Sequence, residues 1–128
     1  MTALWEILVP TEKRIKSPAP HWRDGSDGYV EAMEDWHKRD SYTARYHRVW
    51  DEQVRAITGG LTILRPAIGQ WVSPDGELFK ERMIPVRIAA TREQIERIID
   101  ITLVYYDQLA VFCAKISDEV IIKHRKEI

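Results

Sequence analysis

The stretch that decides the fold is GGLTILRPAIGQWVSPDGELFKERMIPVRI, residues 59–88. Two β-rich runs, 59–71 and 79–88, flank the turn sequence Pro74-Asp75-Gly76. Proline, aspartate and glycine each favour turn conformations, and apolar residues alternate along both runs as they do in half-buried strands. Helical patterns lie before and after the stretch. It therefore predicts a central β-hairpin with a helix on either side in the sequence.

Pro85 lies inside the second run of this hairpin. Proline has no N–H, so it removes one hydrogen bond from the ladder of a sheet. We therefore expect either a β-bulge beside Pro85 or an unpaired side of its strand.

A first helix is predicted from a Ser41 N-cap to about Thr58. Gly59-Gly60 ends it, because glycine adopts the left-handed conformation of a helix C-cap at little cost. Its apolar residues recur at helical spacing: Tyr42, Tyr46, Val49, Trp50, Val54 and Ile57. A charged face opposes this stripe, so the helix is expected to pack on a sheet.

A second helix is predicted after Thr91, which forms a capping box with Gln94. Its stripe consists of Ile95, Ile98, Ile99, Thr102, Tyr106 and Leu109. The apolar surface is wider than one stripe, which indicates a second packing partner.

Two further strands complete the pattern, one at 4–9 and one at 110–116, with 120–122 as an extension of the latter. The order of elements is strand, helix, strand, strand, helix, strand. It predicts an α+β, ferredoxin-like βαββαβ fold, with a four-stranded antiparallel sheet and two helices on one face. We expect a single domain over 1–128, with 11–40 inserted after the first strand and a short helix at 29–39.

The second face of this sheet has no predicted helix to cover it. The residues expected there are apolar and charged: Leu4, Leu8, Leu64 and Met83 with Glu6, Arg82 and Arg87. A mixed face of this kind is commonly closed by a second subunit or a ligand. The sequence therefore predicts a homodimer through the open sheet face.

The composition is that of an ordinary soluble domain. The chain has 128 residues, 45% of them hydrophobic and 30% charged, and its net charge of -1 argues against a dedicated nucleic-acid binder. The single cysteine, Cys113, excludes an internal disulfide and fits a reducing compartment. No apolar run is long enough to span a bilayer, and no signal peptide is expected. We expect a cytoplasmic protein.

The candidate ligand site lies where the hairpin meets the first helix. Gly69-Gln70-Trp71 offers an aromatic face and an amide, which together suit a planar, polar ligand. The predicted ligand-binding residues are Tyr46, His47, Arg48, Trp50, Gln70, Trp71, Glu81 and Arg82. The alternative for Trp71 is a core residue, and for Glu81 with Arg82 a cross-strand ion pair.

His47 and Asp51 are four residues apart on the first helix, so their side chains can meet. This spacing could orient a general-base histidine or supply two metal ligands. Because a metal site needs three or four ligands, a helix-surface hydrogen bond is the favoured interpretation. Only the insertion contains many further residues of the types that bind metals: His21, Asp24, Asp27, Glu31, Glu34, Asp35 and His37. Their spacing matches neither an EF-hand loop nor a zinc motif. We predict neither a metal site nor a cofactor.

The hairpin resembles a known kind of protein. The elements Gly60-Leu61-Thr62-Ile63, Gly69-Gln70-Trp71, Gly76 and Glu81 are similar in order and spacing to those of small bacterial and phage-borne domains of unknown function. The resemblance covers about residues 42–117. It implies a ferredoxin-like or dimeric α+β barrel fold, and it implies no activity.

The function predicted from the sequence is a non-catalytic small-ligand binding module that acts as a homodimer. The mixture of aromatic, cationic and amide groups suits an anionic or planar ligand, such as a nucleotide. Two alternatives are a small cofactor-independent enzyme of the dimeric α+β barrel type and a protein-interaction module. Nucleic acid and membrane partners are not expected.

Overall fold

The computed structural model describes residues 1–13, 41–72, 74–76 and 78–126, and for residues 71 and 79 the backbone alone. The predicted helix at 29–39 and the candidate metal ligands of the insertion lie outside the described residues. The two ends of the insertion meet, because Glu12 and Ser41 form an isolated antiparallel bridge and the Tyr42 N–H donates to the Thr11 carbonyl at 2.8 Å.

Five strands and two helices make up the described fold. In chain order they are β1 (Ala3–Pro10), α1 (Ala44–Thr58), β2 (Thr62–Ile63), β3 (Ala67–Val72), β4 (Leu78–Ala90), α2 (Arg92–Tyr105) and β5 (Cys113–Ser117). The sheet is antiparallel with the order β2-β4-β1-β5, and β3 pairs with β4 further along the same edge. With β2 and β3 taken as one interrupted strand, this is the predicted ferredoxin-like βαββαβ fold. In the described parts of the chain, neither helix is long and apolar enough to cross a membrane.

The sheet has five strands instead of four because the first run of the hairpin is interrupted. Ile63 pairs with Val86 and Ala67 pairs with Met83, so one side advances by four residues while the other advances by three. Residues 64–66 belong to no strand, so this side of β4 is not regularly paired beside Pro85, which is one of the two outcomes expected. The Leu64 N–H donates to the Pro85 carbonyl at 2.9 Å. The missing N–H of Pro85 therefore faces an irregular stretch, where its loss interrupts no regular ladder.

The core lies between one face of the sheet and both helices. Burial alternates along β1, so that Trp5, Ile7 and Val9 face the helices as predicted. The core residues are Ala3, Trp5, Ile7, Val9, Val86, Ile88 and Ala90 from the sheet, with Trp50, Val54, Ile95, Ile98 and Tyr106 from the helical side. The indole N–H of Trp5 donates to the Ala90 carbonyl at 2.9 Å, which satisfies its polar group inside the core.

The start of α1 differs from its prediction. The N-cap is Thr43 instead of Ser41, and its hydroxyl accepts a hydrogen bond from the Tyr46 N–H at 3.1 Å. Ser41 cannot cap the helix because it is held in the extended bridge with Glu12. Two other predicted helix ends, the C-terminus of α1 and the N-terminus of α2, are confirmed. Gly59 is a left-handed C-cap with φ of 88°, and Thr91 and Gln94 form the complete capping box.

The end of α2 and the last strand also differ from their predictions. The helix ends at Tyr105, so Leu109 lies beyond it and is 84% exposed instead of completing the stripe. The last strand runs from Cys113 to Ser117, not from 110 to 116, and its pairs with β1 lie between these two residues. Residues 120–122 have no regular structure and do not extend it.

The second face of the sheet is not covered by either helix. We call it the open face. Its described residues include Leu4, Glu6, Leu8, Pro10, Thr62, Met83, Pro85, Arg87, Ala89 and Ala114, as the cross-strand pairs show. Arg82, which was predicted on this face, belongs to the other one, because adjacent strand residues point in opposite directions and Met83 occupies the open face.

Replacement of Ile98 by alanine tests the position of the core. Ile98 is fully buried in α2, so Ile98→Ala should lower the free energy of unfolding by about 2–5 kcal/mol, measured by urea denaturation. Val104 lies on the same helix and is 83% exposed. Val104→Ala is the matched control and should change stability by less than about 0.5 kcal/mol. Equal losses in both variants would contradict the packing of α2 described above.

Candidate functional site

An aromatic cluster joins α1 to the end of α2. We call it the tyrosine cluster, consisting of Tyr42, Tyr46, Tyr105 and Tyr106. Tyr42 lies just before the N-cap of α1, and its ring stacks on that of Tyr46 in the first turn with centroids 4.8 Å apart. The rings of Tyr46 and Tyr105 stack across the two helices at 4.1 Å. Tyr106 meets Tyr42 edge to face at 4.9 Å. Both geometries are favourable for aromatic pairs.

The hydroxyl groups of this cluster bind backbone carbonyls across the interface. The Tyr46 hydroxyl donates to the carbonyl of Tyr105, and the Tyr105 hydroxyl donates to the carbonyl of Tyr46 at 2.8 Å. The Tyr42 hydroxyl donates to the Tyr106 carbonyl at 2.6 Å. The carbonyls of Tyr105 and Tyr106 lie at the C-terminal end of α2, where helical carbonyls lack partners within the helix. The cluster therefore caps α2 and fastens it to α1.

His47 contacts the most deeply buried member of the cluster. Its Nδ1 lies 2.7 Å from the hydroxyl oxygen of Tyr106, whose side chain is fully buried. Burial, and next to it the Asp51 carboxylate, hold the pKa of the Tyr106 phenol far above its ordinary value. The phenol is therefore protonated and donates its hydrogen to Nδ1, which leaves the His47 proton on Nε2.

Burial lowers the pKa of His47, and the Asp51 carboxylate opposes this effect in part. Burial also raises the pKa of Asp51, against the opposing charges of His47 and Arg55. No hydrogen bond or ion pair joins His47 to Asp51, both of which are described. The carboxylate is thus a nearby charge and does not orient the imidazole as the partner of a general base would.

Trp50 belongs to the core. Its side chain is 1% exposed, and its indole N–H donates to the Thr102 hydroxyl at 3.0 Å. That hydroxyl in turn donates to the Ile98 carbonyl at 2.6 Å. The Trp50 ring thus presents no surface to a ligand. Arg48, two residues before it on α1, is exposed.

The other predicted site residues lie on the hairpin. Gln70 is paired with Lys80 and Trp71 with Phe79 in the register of β3 and β4. Glu81 and Arg82 are successive residues of β4, so their side chains leave opposite faces of the hairpin. Among the described side chains, no hydrogen bond, ion pair or ring contact links Gln70, Glu81 or Arg82 to the predicted residues of α1. The structure brings Tyr46, His47 and Trp50 together and places the hairpin residues elsewhere.

A groove lies at a third place, where β1 and β5 meet the start of α2. Its volume is about 630 Å³, and it shares no residue with the tyrosine cluster. It is lined by Met1, Ala3, Trp5, Thr91, Arg92, Glu93, Lys115 and Asp118. The Arg92 guanidinium and the Lys115 ammonium lie 5.9 Å and 5.4 Å from the centroid of the Trp5 ring, within the range of cation–π attraction.

The cations of this groove have acidic neighbours. Arg92 pairs with Glu96 at 2.8 Å and Lys115 pairs with Asp118 at 3.1 Å. Both pairs are largely exposed to solvent, so each contributes little to stability and can exchange its partner. In the described part of the chain, no three His, Cys, Asp or Glu residues are grouped to hold a metal ion.

Sequence reasoning missed Tyr42, Tyr105 and Tyr106 as members of a common cluster. The spacing of Tyr42 and Tyr46 and the adjacent pair Tyr105-Tyr106 were visible in the sequence, but not their contact. Trp5, Arg92 and Lys115 were also missed, because they come from three different elements.

Comparisons with known proteins show the fold. No protein-family model matches the chain, and a search of curated proteins gives no match. Among solved structures, the chain is similar to the divalent cation tolerance protein (Cut A1) from Thermus thermophilus, with a TM-score of 0.55. The alignment covers 94% of this chain and 88% of that chain, at 8% sequence identity. At this identity the likeness shows the shared ferredoxin-like fold alone.

The burial of His47 should make stability depend on pH. The pKa of His47 is lower in the folded chain than its ordinary value of 6.5, so the unfolded chain binds the extra proton first as the pH falls. The part of the free energy of unfolding that neutral His47 contributes above pH 6.5 is lost as the pH falls through the pKa of His47 in the folded chain. The melting temperature should therefore decrease from about pH 7 to about pH 5. The raised pKa of Asp51 acts in the opposite direction, at lower pH.

His47→Asn keeps an acceptor near the position of Nδ1 but cannot titrate. Its melting temperature should fall less than that of the wild type over the same pH range, as measured by calorimetry. His124→Asn, at an exposed position after β5, is the control and should follow the wild type. Identical pH profiles for the wild type and His47→Asn would exclude this role of His47.

Proposed function

We propose that the chain is a non-catalytic binding module that acts as a homodimer through the open face of its sheet. The observation that carries this proposal is the absence of a helix on that face in the described chain, while both described helices pack on the opposite one. An antiparallel sheet can leave one face to water when that face is polar. Here most of the open-face residues are apolar, which favours a covering partner.

The charges of the open face are already paired within it. Glu6 and Arg87 lie opposite each other on β1 and β4, and their side chains form an ion pair at 3.2 Å. A second copy can therefore cover the part of this face between β1 and β4 without burying an unpaired charge. Near the edge, the register of β1 and β5 places Phe112 opposite Leu8, whose N–H donates to the Phe112 carbonyl at 3.0 Å. Phe112 is 60% exposed, so it offers a large apolar contact.

The ligand of this module is, in our proposal, a small anion such as a nucleotide. The groove at Trp5 has the size of a small-molecule site, since ligand pockets commonly occupy about 300–1,000 Å³. Arg92 and Lys115 supply two cations at its wall. A phosphate can replace their exposed carboxylate partners, because it carries more charge and more acceptor oxygens.

Three further parts of the proposal rest on the sequence. The exposed members of the predicted ligand set, Arg48, Gln70, Glu81 and Arg82, are proposed as contacts to a ligand or to the second copy. A cytoplasmic location is proposed because the chain has a single cysteine. Kinship with small bacterial and phage-borne domains is proposed from the Gly-Leu-Thr and Gly-Gln-Trp elements of the hairpin.

Light scattering after size-exclusion chromatography tests the homodimer. The wild type should have twice the chain mass of 15.0 kDa. Phe112→Glu should shift the mass to that of one chain, because it places a charge on the apolar contact. Val104→Glu is the matched control on the outer side of α2 and should stay dimeric. A monomeric wild type at micromolar concentration would refute the proposal.

Thermal shift measurements test the anionic ligand. Nucleoside mono-, di- and triphosphates should raise the melting temperature of the wild type, since a ligand that binds only the folded state stabilises it. At a ligand concentration of about 100 times Kd, the gain is about 2.7 kcal/mol. The double variant Arg92→Gln/Lys115→Gln should lose the shift, whereas Lys123→Gln, outside the groove, should keep it. If no phosphate compound shifts the wild type, the anionic ligand is ruled out.

A further inference from the structure

The groove at Trp5 offers a ligand charge and no aromatic face. Among the described residues that line it, Trp5 alone is aromatic, and it is 7% exposed. Its indole N–H already donates to the Ala90 carbonyl at 2.9 Å. The Arg92 guanidinium and the Lys115 ammonium lie over the ring, at 5.9 Å and 5.4 Å from its centroid. A nucleobase therefore finds no free ring in this groove, and the stacking that commonly holds a base is not available to it.

The two cations reach this ring from different elements. Lys115 on β5 lies opposite Trp5 on β1, so its side chain leaves the sheet on the same side, towards the helices. Arg92 is the first residue of α2, which packs on that side. The pairing of β5 with β1 shifts by one residue just after Lys115, and bulges of this kind re-aim side chains beside active sites. One extended ligand can therefore contact both cations.

The groove lies on the side of the sheet that faces the helices. Its strand residues Ala3 and Trp5 belong to the buried face of β1. The second copy is proposed on the opposite, open face. Dimerisation through that face therefore leaves the groove accessible to a ligand.

Each cation of the groove has a carboxylate partner that an anionic ligand must displace. Lys115 pairs with Asp118 at 3.1 Å, and Arg92 pairs with Glu96 at 2.8 Å. A phosphate monoester carries about 1.5–2 negative charges at pH 7, which is no more than the two carboxylates carry together. A chain of two or more phosphoryl groups carries more charge and more acceptor oxygens than the carboxylates it replaces. The ion pairs therefore favour polyphosphates over single phosphates.

We propose that the groove binds the polyphosphate chain of its ligand, whatever group that chain is attached to. The inference rests on the proposed function, because it uses the same anionic site, and it names the group that is recognised: two or more linked phosphoryl groups. Arg92 and Lys115 bind the chain, and Trp5 positions both cations. Asp118 and Glu96 compete with the chain for these cations. Nucleoside di- and triphosphates and inorganic polyphosphates are then ligands of one class.

Isothermal titration calorimetry in the absence of divalent cations tests which group is recognised. ATP, GTP and UTP should bind the wild type with Kd values within about threefold of one another, since stacking of the base would separate them by more. Tripolyphosphate should bind at least as tightly as ATP. AMP and inorganic phosphate should bind about tenfold more weakly or worse, because they carry less charge and fewer acceptor oxygens. Adenosine should not bind.

Neutral variants test the competition between ligand and carboxylate. Lys115→Gln should weaken the binding of tripolyphosphate by about tenfold or more. Asp118→Asn should strengthen it by about two- to fivefold, because Lys115 then has no partner to exchange. Glu119→Gln removes the next carboxylate, which does not line the groove, and is the matched control. It should change Kd by less than about twofold at physiological salt. Circular dichroism should be unchanged throughout, since all three altered side chains are exposed.

The outcomes separate this inference from the proposed anionic ligand. If ATP binds and tripolyphosphate does not, if one nucleoside triphosphate binds far more tightly than the others, or if AMP binds as tightly as ATP, the inference is overturned and the anionic ligand stands. If Asp118→Asn does not strengthen the binding of tripolyphosphate, its carboxylate is no competitor and the inference also fails. If no phosphate compound binds the wild type, both are refuted.

Discussion

The fold depends on the antiparallel pairing of β1 with β4, which runs in one register from Ala3–Ala90 to Pro10–Met83. Every second pair in this register faces the helices and forms the floor of the core, with Ile7 beside Val86 and both almost fully buried. The intervening pairs form the open face. A shift by one residue would move the apolar set to the wrong side, so burial itself fixes the register. The same register sets where β1 ends, and beyond that point β4 pairs with β3 alone among the described residues.

The helices are joined by polar contacts as much as by apolar ones. Trp50 and Thr102 form a hydrogen bond inside the core, and the tyrosine cluster satisfies carbonyls at the end of α2. In the described structure, no buried side-chain nitrogen or oxygen lacks a partner. Because an unpaired buried polar group is costly, each of these contacts restricts how the two helices can pack. His47 is the member of this network whose ordinary pKa lies close to neutrality, which gives the network its dependence on pH.

The candidate site was predicted in part. The helical stripe correctly placed Tyr46 and Trp50 on the side of α1 that packs against the rest of the fold, and His47 lies beside them. It did not distinguish a ligand contact from a core contact, because an aromatic side chain serves either role with the same spacing. Gln70, Glu81 and Arg82 were grouped with them on the assumption that the hairpin lies beside α1. How far a hairpin extends past a sheet depends on the lengths of the neighbouring strands. β1 ends at Pro10, opposite Met83, so the hairpin residues before Met83 on β4 extend past it.

The sequence by itself determined the features that depend on near neighbours in the chain. These are the alternation along β1, the capping box of Thr91 and Gln94, the glycine that ends α1 and the irregularity beside Pro85. The tertiary structure decided which distant groups meet. Tyr46 and Tyr105 are 59 residues apart, and only the packing of α1 on α2 brings them into contact. Thr43 caps α1 instead of Ser41 for the same reason. Ser41 forms a bridge to Glu12, and this bridge joins segments far apart in the chain. Local patterns specify elements through backbone chemistry, whereas sites arise from packing between elements, which no local pattern encodes.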